Sequence, residues 1–162
     1  MKYERFEQLP LWQAGMTLAE RTFKLTADRA FNYQGDLRSR LQRAALSVPN
    51  NVAEGFERGT AQELLTFLYI ARGSAGEVRS MLCLLERLDH FAHLKSAIST
   101  LKSLAESGSR RLRAWADPLP NSPITGPRHL TERTRQAAEQ KKRAGAFLGK
   151  RKKAHRTTNA AA

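Results

Sequence analysis

The chain has 162 residues, with 28 Lys and Arg against 15 Asp and Glu, and so a formal net charge of +13. A basic surplus of this size favours polyanionic partners, with nucleic acid first and acidic membrane surfaces second. A single cysteine, Cys83, excludes an intrachain disulfide and a cysteine-based zinc site, and no apolar run reaches the roughly 18 residues of a membrane span. The N-terminus also lacks the apolar run of a signal peptide, so we predict a soluble, cytoplasmic protein.

Helical spacing of apolar residues predicts the first helix over about residues 9–27. Two neighbouring sets of apolar positions follow its length. One face carries Trp12, Met16, Ala19 and Phe23, and beside it lie Leu11, Leu18 and Leu25. Both sets recur at intervals of three, four or seven residues, which is typical of an amphipathic helix with one side toward a core.

The second predicted helix opens at Gly35, with Asp36 as its N-cap, and passes through a proline. One face carries Leu37, Leu41, Ala45, Val48, Val52 and Phe56. Pro49 lies inside this stretch, where a proline costs roughly 3 kcal/mol because it removes a backbone donor and crowds the preceding turn. Because the apolar face continues beyond it, we predict a kinked but continuous helix that ends at Gly59.

Two further helices complete an all-α chain. Thr60 and Glu63 form a capping box that opens the third helix, predicted over residues 61–88. Its apolar face carries Leu64, Leu68, Ala71, Ala75, Val78, Met81, Leu82 and Leu85. The fourth helix, over residues 94–115, aligns Leu94, Ile98, Leu101, Ala105 and Leu112. No segment alternates with a period of two, and the connections are short, so residues 1–116 are predicted to form an up-down-up-down antiparallel four-helix bundle.

The third helix is apolar on more than one side. Leu65, Tyr69 and Ile70 lie off its main apolar face, and Gly73 and Gly76 remove side-chain bulk in mid-helix. A helix that is apolar all round is normally buried all round, so we expect a second contact surface, supplied by self-association. The alternative is close packing of the third helix on the second within one chain.

Residues 117–162 differ in composition from the bundle. Four prolines fall between Asp117 and Pro127, and the segment holds eleven Lys and Arg against three Asp and Glu, a net charge of +8. A basic cluster consists of Lys150, Arg151, Lys152, Lys153 and Arg156. We predict a linker followed by a flexible basic tail that contacts phosphates. The alternative is that the tail serves solubility alone.

Two sequence blocks resemble a known family. They are RAALSVPNNVAEG over residues 43–55 and FLYIARGS over residues 67–74, and Trp12-Gln13-Ala14 fits the same pattern. Over residues 9–115 the chain resembles the four helix bundle protein family, which includes 23S rRNA intervening-sequence proteins and is related to the accessory variability determinants of diversity-generating retroelements. The resemblance implies a ring of five bundles around a channel and, as partners, a reverse transcriptase and its template RNA. The intervening-sequence members imply only an association with insertions in rRNA genes.

Residue patterns for catalysis or metal binding are sparse. Asp89 and His93 lie one turn apart and could supply two metal ligands, but no third ligand is evident, so a solvated helix end is predicted. Arg87 and His93 resemble the Arg-x(4–6)-His pattern of HEPN ribonucleases, although Leu88 stands where that family usually has a polar residue. No Gly-rich phosphate loop or nucleophilic triad occurs, so we predict a non-catalytic protein without cofactor or metal and keep a HEPN-like ribonuclease as an alternative.

Basic residues within the predicted bundle are the candidate phosphate contacts. They are Arg21, Lys24, Arg38, Arg40, Arg43, Arg72 and Arg79. A guanidinium grips phosphate oxygens with two parallel donors, and such contacts bind without reading sequence. The alternative is that these side chains pair with carboxylates such as Asp36, Glu77 or Glu86. The predicted function is an oligomeric, nucleic-acid-binding accessory or scaffold protein, with a protein-interaction module lacking RNA binding as the alternative.

Overall fold

Four helices form the part of the chain that the computed structural model describes, residues 3–58 and 60–121. They are α1 (Pro10–Thr26), α2 (Gly35–Glu57), α3 (Ala61–Leu85) and α4 (Lys95–Ala116). Within these ranges there is no strand, and the predicted all-α class is confirmed. The predicted helix stop at Gly59 and the basic cluster at residues 150–156 lie outside the described residues.

Each helix packs antiparallel against the next, and α4 returns to α1. The Gln42 side-chain amide of α2 donates to the Thr26 hydroxyl at the end of α1, at 2.7 Å. The Ser47 hydroxyl of α2 lies 2.9 Å from the Ser74 hydroxyl of α3. The Lys102 ammonium of α4 donates to a Glu86 carboxylate oxygen, just after α3, at 2.6 Å. The fold is therefore the predicted four-helix bundle.

Leucines at seven-residue intervals form the α1 side of the core. Leu11, Leu18 and Leu25 are buried, whereas Phe23 is 45 % exposed and Trp12 is half-buried. Of the two neighbouring apolar sets on α1, the leucine set thus lies nearer the core centre. On α2, α3 and α4 the predicted faces are buried except for half-buried Leu37, Met81 and Leu94 at their margins.

Pro49 lies inside α2 without ending it, as predicted, because α2 runs on to Glu57. The proline is buried where α1 approaches most closely. A methyl group at Gly15 of α1 would lie 3.2 Å from the Pro49 nitrogen and 3.3 Å from its Cα. Glycine at position 15 therefore allows the two helices to meet at the turn whose hydrogen bond the proline removes.

Gly55 occupies a similar close approach between α2 and α3. A Cβ built there would lie 2.7 Å from the Phe67 Cβ and 3.3 Å from the Leu64 Cα, and neither atom can move without its helix. Gly108 of α4, in contrast, has no atom within 4 Å of such a Cβ. The two glycines therefore differ in packing although both lie inside helices.

We predict opposite effects for alanine at these two glycines. Gly55→Ala should lower the free energy of unfolding by up to about 2 kcal/mol, because overpacking costs about 1–3 kcal/mol and better helix propensity returns about 1 kcal/mol. Gly108→Ala should raise it by about 1 kcal/mol, from propensity alone. Urea unfolding followed by circular dichroism measures both. Equal effects of the two substitutions would contradict the close approach at Gly55.

The helix ends differ from the sequence predictions in two places. Asp36 is not an N-cap, since the cap position belongs to Gln34 and the Asp36 carboxylate instead pairs with Arg40. α3 ends at Leu85 and not at residue 88, because a 3₁₀ turn, Asp89–Leu94, follows. The Thr60 cap of α3 is confirmed, since its hydroxyl accepts from the Glu63 backbone N–H at 3.2 Å and donates to the Glu63 carboxylate at 2.6 Å.

Aromatic contacts close the two ends of the bundle. Phe91 of the 3₁₀ turn is buried against Phe31 from the α1–α2 connection, with ring centroids 4.8 Å apart. At the opposite end Tyr3 packs on Trp115. Leu119, which the sequence assigns to the linker, packs against the core. Over residues 3–58 and 60–121, no helix has the length and apolar character to cross a membrane.

Candidate nucleic-acid interface

The seven candidate cations of the bundle do not form one patch. The structure separates them among the α2–α3 side, the α3–α4 side and the α1–α4 side, with Arg38 exposed near the start of α2. The remaining candidates, Lys150, Arg151, Lys152, Lys153 and Arg156, lie outside the described residues. A polyanion that contacts several of these groups must therefore follow the bundle surface.

Arg40 and Arg43 lie beside a shallow cavity of about 270 Å³ between α2 and α3. Ser47, Ser74 and Glu77 line the same cavity, and the two serine hydroxyls bond to each other across it. The Arg40 Nε lies 3.0 Å from an Asp36 carboxylate oxygen, so this cation is paired, as the alternative interpretation expected. Among residues 3–58 and 60–121, Arg43 forms no ion pair with a carboxylate.

Arg72 and Arg79 lie on the α4 flank of α3. Glu86 marks that flank because it contacts Lys102 of α4, and the spacing of seven residues from Arg72 to Arg79 to Glu86 keeps all three on one side. The Arg72 guanidinium also lies over the Tyr69 ring, 5.5 Å from its centroid. Ser74, which contacts α2, lies on the other flank, so α3 separates these arginines from Arg43.

Arg21 and Lys24 lie on α1, facing α4. They line a cavity of about 580 Å³ between α1 and the start of α4. Its apolar lining consists of Leu25 of α1, Leu94 just before α4, and Ala97 and Leu101 of α4. Both cations are exposed, and they lie three residues apart on one side of α1.

Most candidate cations lack a carboxylate partner. Among residues 3–58 and 60–121, only Arg40 of the seven forms an ion pair. The expected pairing of arginines with Glu77 or Glu86 does not occur there, because Glu86 binds Lys102 and Glu77 has no ion pair. These unpaired cations are exposed, except for half-buried Arg72, and an exposed cation has a small cost of desolvation when it binds a phosphate.

The outer face of α3 is largely apolar and open. Tyr69 is 46 % exposed and Ile70 is 47 % exposed, and Gly73 and Gly76 have no atom within 4 Å of a built Cβ. Close packing on α2 therefore does not explain these two glycines. Leu65 requires a correction, because it is buried within the bundle and is not available to a second chain. Leu84 and Leu88, which the sequence did not single out, extend the exposed apolar surface.

Two histidines hold the end of the bundle together. The His93 Nε2 lies 3.1 Å from an Asp28 carboxylate oxygen, and the His90 Nε2 lies 2.9 Å from the Ala30 carbonyl oxygen. His93 thus contacts Asp28 and not the neighbouring Asp89 that the sequence suggested as a co-ligand. Within the described ranges, no group of three potential metal ligands comes together.

The Asp28 carboxylate is stabilised in its charged form. The Ala30 backbone N–H donates to it at 2.9 Å, and this contact, followed by the one with His93, lowers the pKa of Asp28 below its usual value. A lowered carboxyl pKa contributes stability above the unfolded-state pKa, and the contribution is lost as the pH falls through the folded-state pKa. Protonation of Asp28, in the α1–α2 connection, should therefore lower the free energy of unfolding in acid.

Asp28→Asn should make the bundle less stable at neutral pH and less sensitive to acid. The amide keeps the size of the side chain but loses the charge that favours both contacts. Thermal melts between neutral pH and about pH 3 should show the variant and the wild type converging at the acid end, since protonation removes the same charge. A constant difference across this range would contradict the assignment. Asp89→Asn, at an exposed carboxylate without an ion pair in the described structure, is the control.

Comparison with known proteins gives one family. The family model described as 23S rRNA-intervening sequence protein matches residues 7–114. The match spans α1 to α4 and so includes every candidate cation of the bundle, but not the basic cluster at residues 150–156. No curated protein and no solved structure matches the chain.

Proposed function

The chain belongs to the 23S rRNA-intervening sequence protein family, and from this premise we propose that it is a non-catalytic, self-associating cytoplasmic scaffold that binds nucleic acid through phosphate contacts. The observation that carries the proposal is a set of cations that lack a carboxylate partner among residues 3–58 and 60–121: exposed Arg21, Lys24, Arg38, Arg43 and Arg79, and half-buried Arg72. A solvated guanidinium that bonds no protein acceptor retains all its donors for phosphate oxygens.

The distribution of these cations favours a structured or wrapped polyanion over a compact ligand. The cations occupy three sides of the bundle, and the sequence adds five further cations in the basic cluster at residues 150–156. Neutralising several phosphates releases counterions, and this gives sequence-independent affinity. Structured RNA, which presents phosphates in several directions, is the partner that we propose.

Self-association through the outer face of α3 is the second part of the proposal. Tyr69, Ile70 and Leu84 are exposed there, and the glycines at positions 73 and 76 leave room for a second backbone. The resemblance to accessory variability determinants extends this to a ring of five chains that positions a template RNA for a reverse transcriptase. A ring would also repeat the free cations of one chain around its surface.

Mass measurement in solution, with and without a structured RNA, tests assembly and partner together. We expect a mass several times the 18.2 kDa of one chain, and a further complex with RNA at about 50 mM salt. Raising the salt to about 200 mM should lower the RNA affinity by a factor of about 10³–10⁵ if six to ten phosphates are contacted. A monomer that ignores RNA at low salt would overturn the proposal, and an oligomer that ignores RNA would favour a protein-interaction module.

The same RNA distinguishes scaffolding from cleavage. The HEPN-like alternative would use His93 to transfer protons, and the His93 Nε2 lies 3.1 Å from an Asp28 carboxylate oxygen. We expect the RNA to be recovered intact after incubation with the purified protein. Cleavage that His93→Ala abolishes would replace the scaffold proposal with a ribonuclease.

A further inference from the structure

A groove runs along the bundle between α1 and α4. One end is the cavity of about 580 Å³ beside Arg21 and Lys24, and the other is a second cavity of about 280 Å³ beside Arg111. The two cavities lie end to end on the same helix pair, and their α4 linings span residues 94–111. At 1.5 Å per residue, this span is about 26 Å long. We name it the α1–α4 groove.

The charge of the α1–α4 groove is positive. Arg21, Lys24 and Arg111 line it, all three are exposed, and none forms an ion pair among the residues that the structure describes. Among the described residues, Asp28 is the only carboxylate in the lining. Its one negative charge stands against the three cations, so the lining keeps a positive net charge.

The wider cavity combines these cations with an apolar wall. Leu25, Leu94, Ala97 and Leu101 form the wall, and Thr100 contributes a hydroxyl. A cavity of about 580 Å³ is within the usual range of ligand pockets, about 300–1,000 Å³, and can hold one nucleoside. In the part of the chain that the structure describes, no aromatic side chain lines either cavity, so a base here would gain burial but no stacking from these residues.

We infer that the α1–α4 groove binds a single-stranded segment of RNA, with one base in the wider cavity and phosphates on Arg21, Lys24 and Arg111. The inference rests on the proposed nucleic-acid binding. It adds where the RNA binds and that the bound segment is single-stranded. A duplex keeps its bases paired and stacked, so it cannot place one in the cavity without first opening. A simple inorganic anion has no apolar surface to bury against this wall, so the wall favours a nucleotide over such an anion.

Fluorescence anisotropy with a short uridine oligonucleotide tests the charge of the groove. For a single strand, each lost phosphate contact makes the slope of log affinity against log salt shallower by about 0.7. Changing Arg21, Lys24 and Arg111 to alanine should therefore make this slope shallower by about 2. The matched control changes Arg5, Arg58 and Arg113 to alanine; these exposed arginines pair with carboxylates and lie outside the groove, so the same charge is removed and the slope should stay within about 0.5 of the wild type.

A steric variant tests the cavity without changing its charge. Ala97→Trp places an indole in the wider cavity and should weaken binding of the oligonucleotide at least about tenfold, which is about 1.4 kcal/mol. Ser99→Trp is the control, because Ser99 is exposed and lies about 200° further round α4. Circular dichroism checks that each variant is folded. If Ala97→Trp does not fold, the triple alanine variant of Arg21, Lys24 and Arg111 decides whether the groove binds the oligonucleotide.

Three results would overturn the inference. If the groove variants bind the oligonucleotide as the wild type does, the groove is not the site, although the proposed function stands. If a duplex of equal length binds as tightly and depends equally on Ala97, the assignment to a single strand is wrong. If polyglutamate displaces the oligonucleotide at equal charge concentration, the groove accepts any polyanion. A wild-type chain that binds no RNA at low salt would instead overturn the proposed function itself.

Discussion

Removing residues 122–162 is expected to weaken RNA binding by orders of magnitude while the bundle stays folded. The deleted segment holds eleven Lys and Arg against two Asp and Glu, a net charge of +9. If the five cations of the cluster at residues 150–156 contact phosphates, the slope of log affinity against log salt should become shallower by about 3.5–4.5. Anisotropy titrations at several salt concentrations measure both changes.

The position of the truncation matters for interpretation. The described core ends with Leu119, which packs against it, so a deletion from residue 117 would remove a packing contact together with the charge. Ending the chain at Asn121 preserves that contact. Far-ultraviolet circular dichroism and the melting temperature should then remain close to those of the full chain. A large drop in either would mean that the deleted segment supports the bundle.

A charge-only variant separates the cluster from the rest of the segment. Changing Lys150, Arg151, Lys152, Lys153 and Arg156 to glutamine keeps the chain length and removes five charges. We expect this variant to reproduce most of the loss of affinity seen on truncation. Unchanged affinity for a structured RNA would favour the alternative in which the basic segment serves solubility alone.

The helices were predictable because their packing is local and periodic. On α2 and α4 a single apolar face alternates with polar positions, and those faces are the buried ones. On α1 two neighbouring apolar sets compete, and spacing alone does not rank them. The close approach of Gly15 to Pro49 turns α1 so that Leu18 lies deeper than Phe23, and this depends on the shape of α2.

The connections were less predictable because their contacts are remote in sequence. Phe91 is buried by Phe31, sixty residues earlier, and His93 contacts Asp28. No helical period reports such pairs, so residues 89–94 were predicted as a solvated helix end. The signal that could have found them is Phe91, a large apolar side chain between two histidines in a short connection.

The candidate site was predicted residue by residue but not as a surface. Basic residue types and their spacing identified Arg21 and Lys24, which line the α1–α4 groove. Arg111 was missed because it belongs with them only through the antiparallel return of α4 to α1. The pairing of Arg40 with Asp36 was open in the sequence, since an i,i+4 spacing permits this contact without requiring it.

Gly73→Leu is expected to break the assembly of chains while leaving each bundle folded. Gly73 lies on the outer face of α3, and a Cβ built there meets no atom within 4 Å, so the leucine has room within one chain. Replacing glycine inside a helix also improves the helix propensity by up to about 1 kcal/mol. Any loss caused by the substitution must therefore come from a neighbouring chain that approaches the α3 backbone closely.

Multi-angle light scattering measures the outcome as mass. The wild type should give a multiple of 18.2 kDa, and Gly73→Leu should give a mass near that of one chain at the same concentration. Gly108→Leu is the matched control, because Gly108 is also helical and open but lies on α4, away from the outer face of α3. An assembly that withstands Gly73→Leu would place the contact elsewhere. Ile70→Glu, which puts a charge on the exposed side chain next to Tyr69, would then decide whether the α3 face takes any part, since a buried unpaired carboxylate is not tolerated in an interface core.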